Sequence, residues 1–116
     1  MRNYKLFIED ILDAINKIET YTKGLSYEMF MAQEMVVDAV IRNIEIIGEA
    51  ARNVPENIKR KYSYIPWKRM IGLRNITVHE YFGVDLDIIW EIVSKNLPET
   101  KPGIQAMLGK LEKMES

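Results

Sequence analysis

Val36-Val37-Asp38-Ala39-Val40-Ile41-Arg42-Asn43-Ile44-Glu45-Ile46-Ile47-Gly48-Glu49-Ala50-Ala51 is the stretch on which the fold turns. Val37, Ile41, Ile44, Gly48 and Ala51 recur at steps of three and four, and Val36, Val40 and Ile47 widen the stripe. That period belongs to a helix and not to a strand, whose apolar positions would alternate. Upstream, Phe30 continues the stripe, Met29 widens it, and Ser26 is a suitable N-cap. The spacing therefore predicts one helix over residues 26–53, roughly 28 residues and about 40 Å long. Its apolar surface is broader than one neighbouring helix needs. A bundle core plus a second contact, such as a subunit interface, would use it, with Gly48, Ala50 and Ala51 letting another backbone approach closely.

The polar side of the same helix carries Asp38, Arg42, Glu45, Glu49 and Arg52. Their spacing suits neighbouring ion pairs, including Asp38–Arg42 and Glu49–Arg52. Two readings stand: a solvated face, or a supporting layer in which Arg42, Glu45 or Glu49 backs a site on an adjacent helix.

Working outward, Ile8, Ile11, Leu12, Ile15 and Ile18 make a first amphipathic helix that Lys23-Gly24 ends. Beyond the long helix, Pro55 fits the first turn of a short helix reaching Tyr62. Ser63-Tyr64-Ile65 reads as a turn, and Pro66 fits the first turn of a fourth helix that Gly83 breaks. Asp85 can cap a fifth, with Leu86, Ile89, Trp90 and Val93 on one face. Asn96-Leu97-Pro98 ends it or bends it into a last helix carrying Ile104, Met107, Leu108 and Leu111. The fold expectation is all-α: an antiparallel bundle of four to five helices in a single domain over residues 1–116. The scattered methionines read as core filler.

Composition narrows the function. The chain has no cysteine and one histidine, so no thiolate metal site or disulfide is available and a zinc site within one chain is improbable. No metal or cofactor is expected. No apolar run approaches the roughly 18 residues of a membrane span, and the N-terminus leads straight into an acid-containing helix. The expectation is a cytoplasmic protein with no membrane partner. The net charge of −1 hides an asymmetry: residues 57–79 hold six basic residues and no acid. Such a block suits a phosphate-bearing partner, though it also fits a solvated helix face.

That basic block runs into Ile71-Gly72-Leu73-Arg74-Asn75-Ile76-Thr77-Val78-His79-Glu80-Tyr81-Phe82-Gly83, which holds the lone histidine. Asn75 and His79, four apart, share a helix face, and Arg74 lies on the flank. The group could line a cleft if the backbone loosens near Glu80–Gly83. Arg74, four residues, His79, one residue and Tyr81 form the pattern R-x4-H-x-Y. With Ile65-Pro66-Trp67 before it, Tyr81-Phe82-Gly83-Val84-Asp85 after it and Ile46-Ile47-Gly48-Glu49-Ala50 on the long helix, the chain resembles the HepT toxin family of the HEPN superfamily throughout its length.

The resemblance implies a homodimeric helical bundle, a metal-independent ribonuclease whose Arg74 and His79 from both subunits face a shared cleft, with Asn75 orienting the phosphate or His79. It also implies a minimal nucleotidyltransferase antitoxin that uses ATP to adenylylate Tyr81. The chemistry is consistent with this. Attack of a ribose 2′-hydroxyl on phosphorus needs a base, an acid and positive charge. One histidine cannot serve as base and acid at once; a two-fold axis supplies two. The alternative is a non-catalytic helical subunit that binds nucleotide or substrate for a nucleotidyltransferase.

Overall fold

The computed structural model describes residues 3–83 and 85–115, and the side chains of residues 3–75 and 85–114. Every regular element among the described residues is helical. The order is α1 (Lys5–Thr22), α2 (Tyr27–Met31), α3 (Glu34–Asn53), α4 (Glu56–Lys61), α5 (Trp67–Gly83), α6 (Leu86–Glu91), a π-helical turn (Ile92–Asn96) and α7 (Leu97–Glu115).

α1 buries Ile8, Ile11, Ala14, Ile15 and Ile18, the stripe its sequence spacing dictates. The Lys5 amide donates to Asn3 Oδ1 at 2.9 Å, satisfying an otherwise open group of the first turn. At the other end Gly24 takes a left-handed φ of 77°, which carries the chain away from the helix axis. α3 is central: α1 and α5 pack against it, and α7 packs on α1. Val40, Ile44, Ile47 and Ala51 of α3 are fully buried in that core. Each fully buried isoleucine contributes about 1.5–3 kcal/mol relative to exposure. The Glu19–Lys101 pair between α1 and α7, at 2.8 Å and partly exposed, adds at most about 1 kcal/mol, so apolar burial holds the two helices together.

The single helix expected over residues 26–53 is two. Ser26 does cap its start, accepting from the Met29 amide at 3.2 Å. The helix then breaks at Gln33, whose φ of −111° and ψ of 87° are not helical. No glycine or proline causes this. The break lets Phe30 turn onto Trp90 of α6, ring centroids 5.1 Å apart, while α3 stays aligned with α1 and α5. Met29, expected to widen the apolar stripe, is instead half exposed. Tyr27 reinforces the α2–α6 contact by donating its phenol hydrogen to Asp87, which raises its pKa to about 12.

Pro55 is the N-cap of α4, one position before the first turn assigned to it. The 62–66 connection is tightly bonded. The Tyr62 carbonyl accepts from the Ile65 amide at 3.1 Å and from the buried Trp67 indole Nε1 at 3.0 Å. The head of α5 is fixed by these bonds. Asp85 occupies the N-cap position of α6 without a side-chain capping bond. The bend expected at Asn96-Leu97-Pro98 is a π-helical turn, closed by the Leu97 amide on the Ile92 carbonyl. A widened turn relieves the clash that a proline ring would make with the carbonyl four residues back in a regular α-helix. α7 then continues through Pro102, burying Ile104, Met107 and Leu111. No helix among the described residues is long and apolar enough to cross a membrane.

Candidate functional site

Gly48 is where α3 and α5 come closest. A Cβ built on it would lie 2.9 Å from the Arg74 amide nitrogen, 3.1 Å from Arg74 Cβ and 3.2 Å from the Met70 carbonyl oxygen. Only glycine admits the α5 backbone at that distance. The close approach expected of Gly48 is thus made by a helix of the same chain. Trp67, Met70 and Leu73 are the buried residues of the first half of α5 and set its rotation against the core.

That rotation carries Arg74 to the edge of the α3–α5 seam, where its Nη1 pairs with Glu49 Oε2 at 3.0 Å. Both side chains are about half exposed, at 47% and 51%. The pair crosses from one helix to the other one residue beyond the glycine contact, so the guanidinium is tethered to α3 while its side chain stays about half exposed. A guanidinium presents five donors in a planar fork that suits a phosphate as well as a carboxylate. Asn75 follows it and is exposed.

Of the three supporting residues suggested by the sequence, Glu49 contacts the motif directly. Its cross-helix partner is Arg74; the sequence had offered Arg52 on its own helix. Glu45 lies one turn and Arg42 two turns before it on α3, the first half-buried and the second exposed. The side chains of His79 and Tyr81 lie outside the described residues. Their backbone belongs to α5, which runs through Gly83 without the loosening expected near Glu80. At 1.5 Å per residue, position 79 is roughly 7.5 Å and position 81 roughly 10.5 Å beyond Arg74 along the helix axis.

The acid-free basic block does not form one surface. Lys59 is turned onto Glu56 at 3.6 Å. Arg69 lines a groove of about 890 Å³ between α5 and α6–α7, together with Tyr64, Leu73, Ile88, Lys95 and Glu99. Lys61 lines a different cleft of about 350 Å³, which α7 completes with Lys110 and Lys113. Contiguous charge in the sequence is divided over three directions because successive helical positions rotate by about 100°. No local pattern marks this second cleft, whose two halves lie some fifty positions apart, and no spacing rule joins Glu49 to Arg74.

The profile of a family described as "Ribonuclease HepT-like" matches residues 11–107. The chain is 40% identical over 113 residues to a protein of Thermococcus cleftensis named "Probable ribonuclease HepT", covering 97% of this chain and 96% of that one. It is 37% identical over 110 residues to one of Caldanaerobacter subterraneus named as a "Putative RNase", covering 95% and 98%. A third relative, from Methanocaldococcus jannaschii, is named "Gamma-glutamylcyclotransferase and putative RNase" and is 42% identical over 112 residues; the match covers 97% of this chain but spans only half the length of that protein. No solved structure gave a significant match. With a matching profile over most of its length and relatives of this similarity end to end, the chain belongs to the HepT-like ribonuclease family.

Proposed function

We infer that this protein is a metal-independent endoribonuclease, the toxin of a pair whose antitoxin is a minimal nucleotidyltransferase. The observation that carries this is the Glu49–Arg74 pair: within a HepT-like chain, the arginine of R-x4-H-x-Y is tethered across two helices at 3.0 Å with its side chain about half exposed. Holding a guanidinium in place before substrate arrives lowers the reorganisation needed to stabilise a phosphorane.

The active unit is a homodimer with two Arg74–His79 sets facing one cleft. His79 of one subunit takes the proton from the ribose 2′-hydroxyl, and the O2′ atom attacks phosphorus. The P–O5′ bond breaks, and the His79 of the partner subunit gives its proton to O5′. The products are a 2′,3′-cyclic phosphate and a 5′-hydroxyl. Arg74 neutralises the non-bridging oxygens, and Asn75 orients the phosphate or the imidazole. Adenylylation of Tyr81 places an AMP anion beside Arg74 and His79, blocking RNA by occupancy and by charge.

Production of the protein alone should arrest growth, and Arg74→Ala or His79→Ala should relieve the arrest while the circular dichroism spectrum is preserved. Purified protein should cut labelled RNA in the presence of a chelator and leave cyclic phosphate ends. A folded His79→Ala variant that cuts as fast as the parent would refute the catalytic assignment. Intact RNA together with nucleotide binding lost in Arg74→Ala would instead establish the non-catalytic binding subunit. Co-expression with the nucleotidyltransferase should add the mass of AMP, and Tyr81→Phe should prevent it.

A further inference from the structure

The second cleft has a composition that the first does not explain. Lys61 at the end of α4 and Lys110 on α7 both approach the ring of Tyr62, at 5.8 and 5.9 Å from its centroid. The two ammonium groups, from distant segments, thus meet at one ring beside a cleft of about 350 Å³ whose lining Lys113 completes. No carboxylate is among the described residues lining it. Convergence of like charges is unfavourable by itself; the negative face of the buried Tyr62 ring offsets part of it. Beside the lysines stands Tyr64, 55% exposed. Its ring meets Tyr62 at 68° with centroids 6.3 Å apart, and Gly103 of α7 gives it room, a Cβ there falling 3.4 Å from Tyr64 Cε2. An aromatic ring braced on two sides yet open to solvent, flanked by cations, is the arrangement that takes a stacked base and its phosphates.

We propose that Lys61, Lys110 and Tyr64 form an accessory subsite for single-stranded RNA, apart from the Arg74–His79 motif, that holds a flanking segment of the substrate. The substrate class rests on the ribonuclease reading above; the cleft itself does not. Tyr64 supplies the stacking face, and the lysines neutralise adjacent phosphates. Tyr64 also lines the larger groove along the first half of α5, next to the cleft. From the head of α5 to position 79 is roughly 18 Å. At about 3.4 Å per stacked nucleotide, a strand of about five to six nucleotides spans that distance. A dinucleotide at the motif cannot reach Tyr64.

The test uses the full chain and a fluorescent, 2′-O-methylated twelve-nucleotide pyrimidine RNA, which cannot be cleaved, with anisotropy read over a salt series. Lys61→Ala combined with Lys110→Ala should flatten the slope of log K against log salt by about 1.4, since each neutralised phosphate of a single strand contributes about 0.7. Tyr64→Ala should weaken binding roughly fivefold to a hundredfold, the range for loss of one stacked base, and Tyr64→Phe should retain it. With cleavable RNA, Tyr64→Ala should raise KM for the twelve-mer while leaving its kcat, and dinucleotide cleavage, unchanged. Parental affinity and salt slope in both the lysine and Tyr64→Ala variants overturn the subsite, as does equal loss in Tyr64→Phe and Tyr64→Ala. Binding of polyglutamate in place of RNA at these residues also overturns it and makes the cleft a protein-docking site. If nothing is cleaved but RNA binding depends on Lys61, Lys110 and Tyr64, the catalytic reading falls and the subsite stands. If RNA is cleaved and these variants change nothing, the reverse holds.

Discussion

Glu49 of α3 holds Arg74 of α5 at 3.0 Å, one residue after the point where Gly48 lets the two backbones meet. The two contacts act on the same arginine, one through its main chain and one through its guanidinium. They make separable predictions.

Glu49→Gln keeps the size of the side chain and removes its charge. Because both partners are half exposed, the loss of stability should be less than about 1 kcal/mol. Under the role proposed for Arg74, the loss of RNA cleavage should be larger, roughly tenfold to a hundredfold, because the guanidinium loses the charge that tethers it to α3. Cleavage rates beside thermal melts separate the two effects. A rate that falls only as far as the folded fraction falls would show that Glu49 is structural.

Gly48→Ala puts a methyl group 2.9 Å from the Arg74 amide nitrogen. Its neighbour is main chain within a helix, which cannot swing aside as a side chain would. Overpacking of this kind costs about 1–3 kcal/mol. The melting temperature should drop by several degrees, and activity should fall even at temperatures where the variant is fully folded. Gly72→Ala is the control, since among the described residues its Cβ would meet nothing within 4 Å.

Trp67→Phe removes the indole donor to the Tyr62 carbonyl while keeping most of the buried ring. The carbonyl keeps its bond from the Ile65 amide, so no orphaned acceptor results. The hydrogen-bond part of the loss should be about 0.5–1.5 kcal/mol. Chemical denaturation should show the midpoint moving to lower denaturant with an unchanged slope.

Tyr27, donating to Asp87, is held protonated to a pKa of about 12, against 10.0 for an ordinary tyrosine. A group whose pKa is raised on folding lends stability that is complete below its unfolded value and is lost as pH climbs through the folded one. The contribution is therefore intact at neutral pH and disappears between about 10 and 12. Ultraviolet titration should show Tyr27 ionising well above 10, and Asp87→Asn should lower its pKa.

Much of this fold was legible because apolar spacing is a local signal. Ile8, Ile11, Ile15 and Ile18 announce α1, Ser26 announces the start of α2, and Val37 to Ala51 announce α3. The break at Gln33 was not legible: Ala32 and Gln33 are compatible with a helix, and the cause lies in Phe30 meeting Trp90, sixty positions away. The site divides in the same manner. Arg74 could be marked by its spacing to His79 and Tyr81, while its bond to Glu49 depends on how α3 and α5 dock. The lysine cleft needed α4 and α7 brought together, which no local pattern encodes.

Tyr62 has consequences at both ends of its residue. Its ring lies beneath Lys61 and Lys110, while its carbonyl, taking the Trp67 indole hydrogen, anchors the start of α5 in the phase that the burial of Trp67, Met70 and Leu73 requires. A helix preserves phase along its length, so a change in the 62–66 connection that pulled Trp67 off this carbonyl and out of its packing would turn everything downstream with it. Arg74, seven positions on from Trp67, would then swing away from Glu49 with its own sequence unchanged. The length of that short connection is as much a property of the Arg74 site as the arginine itself.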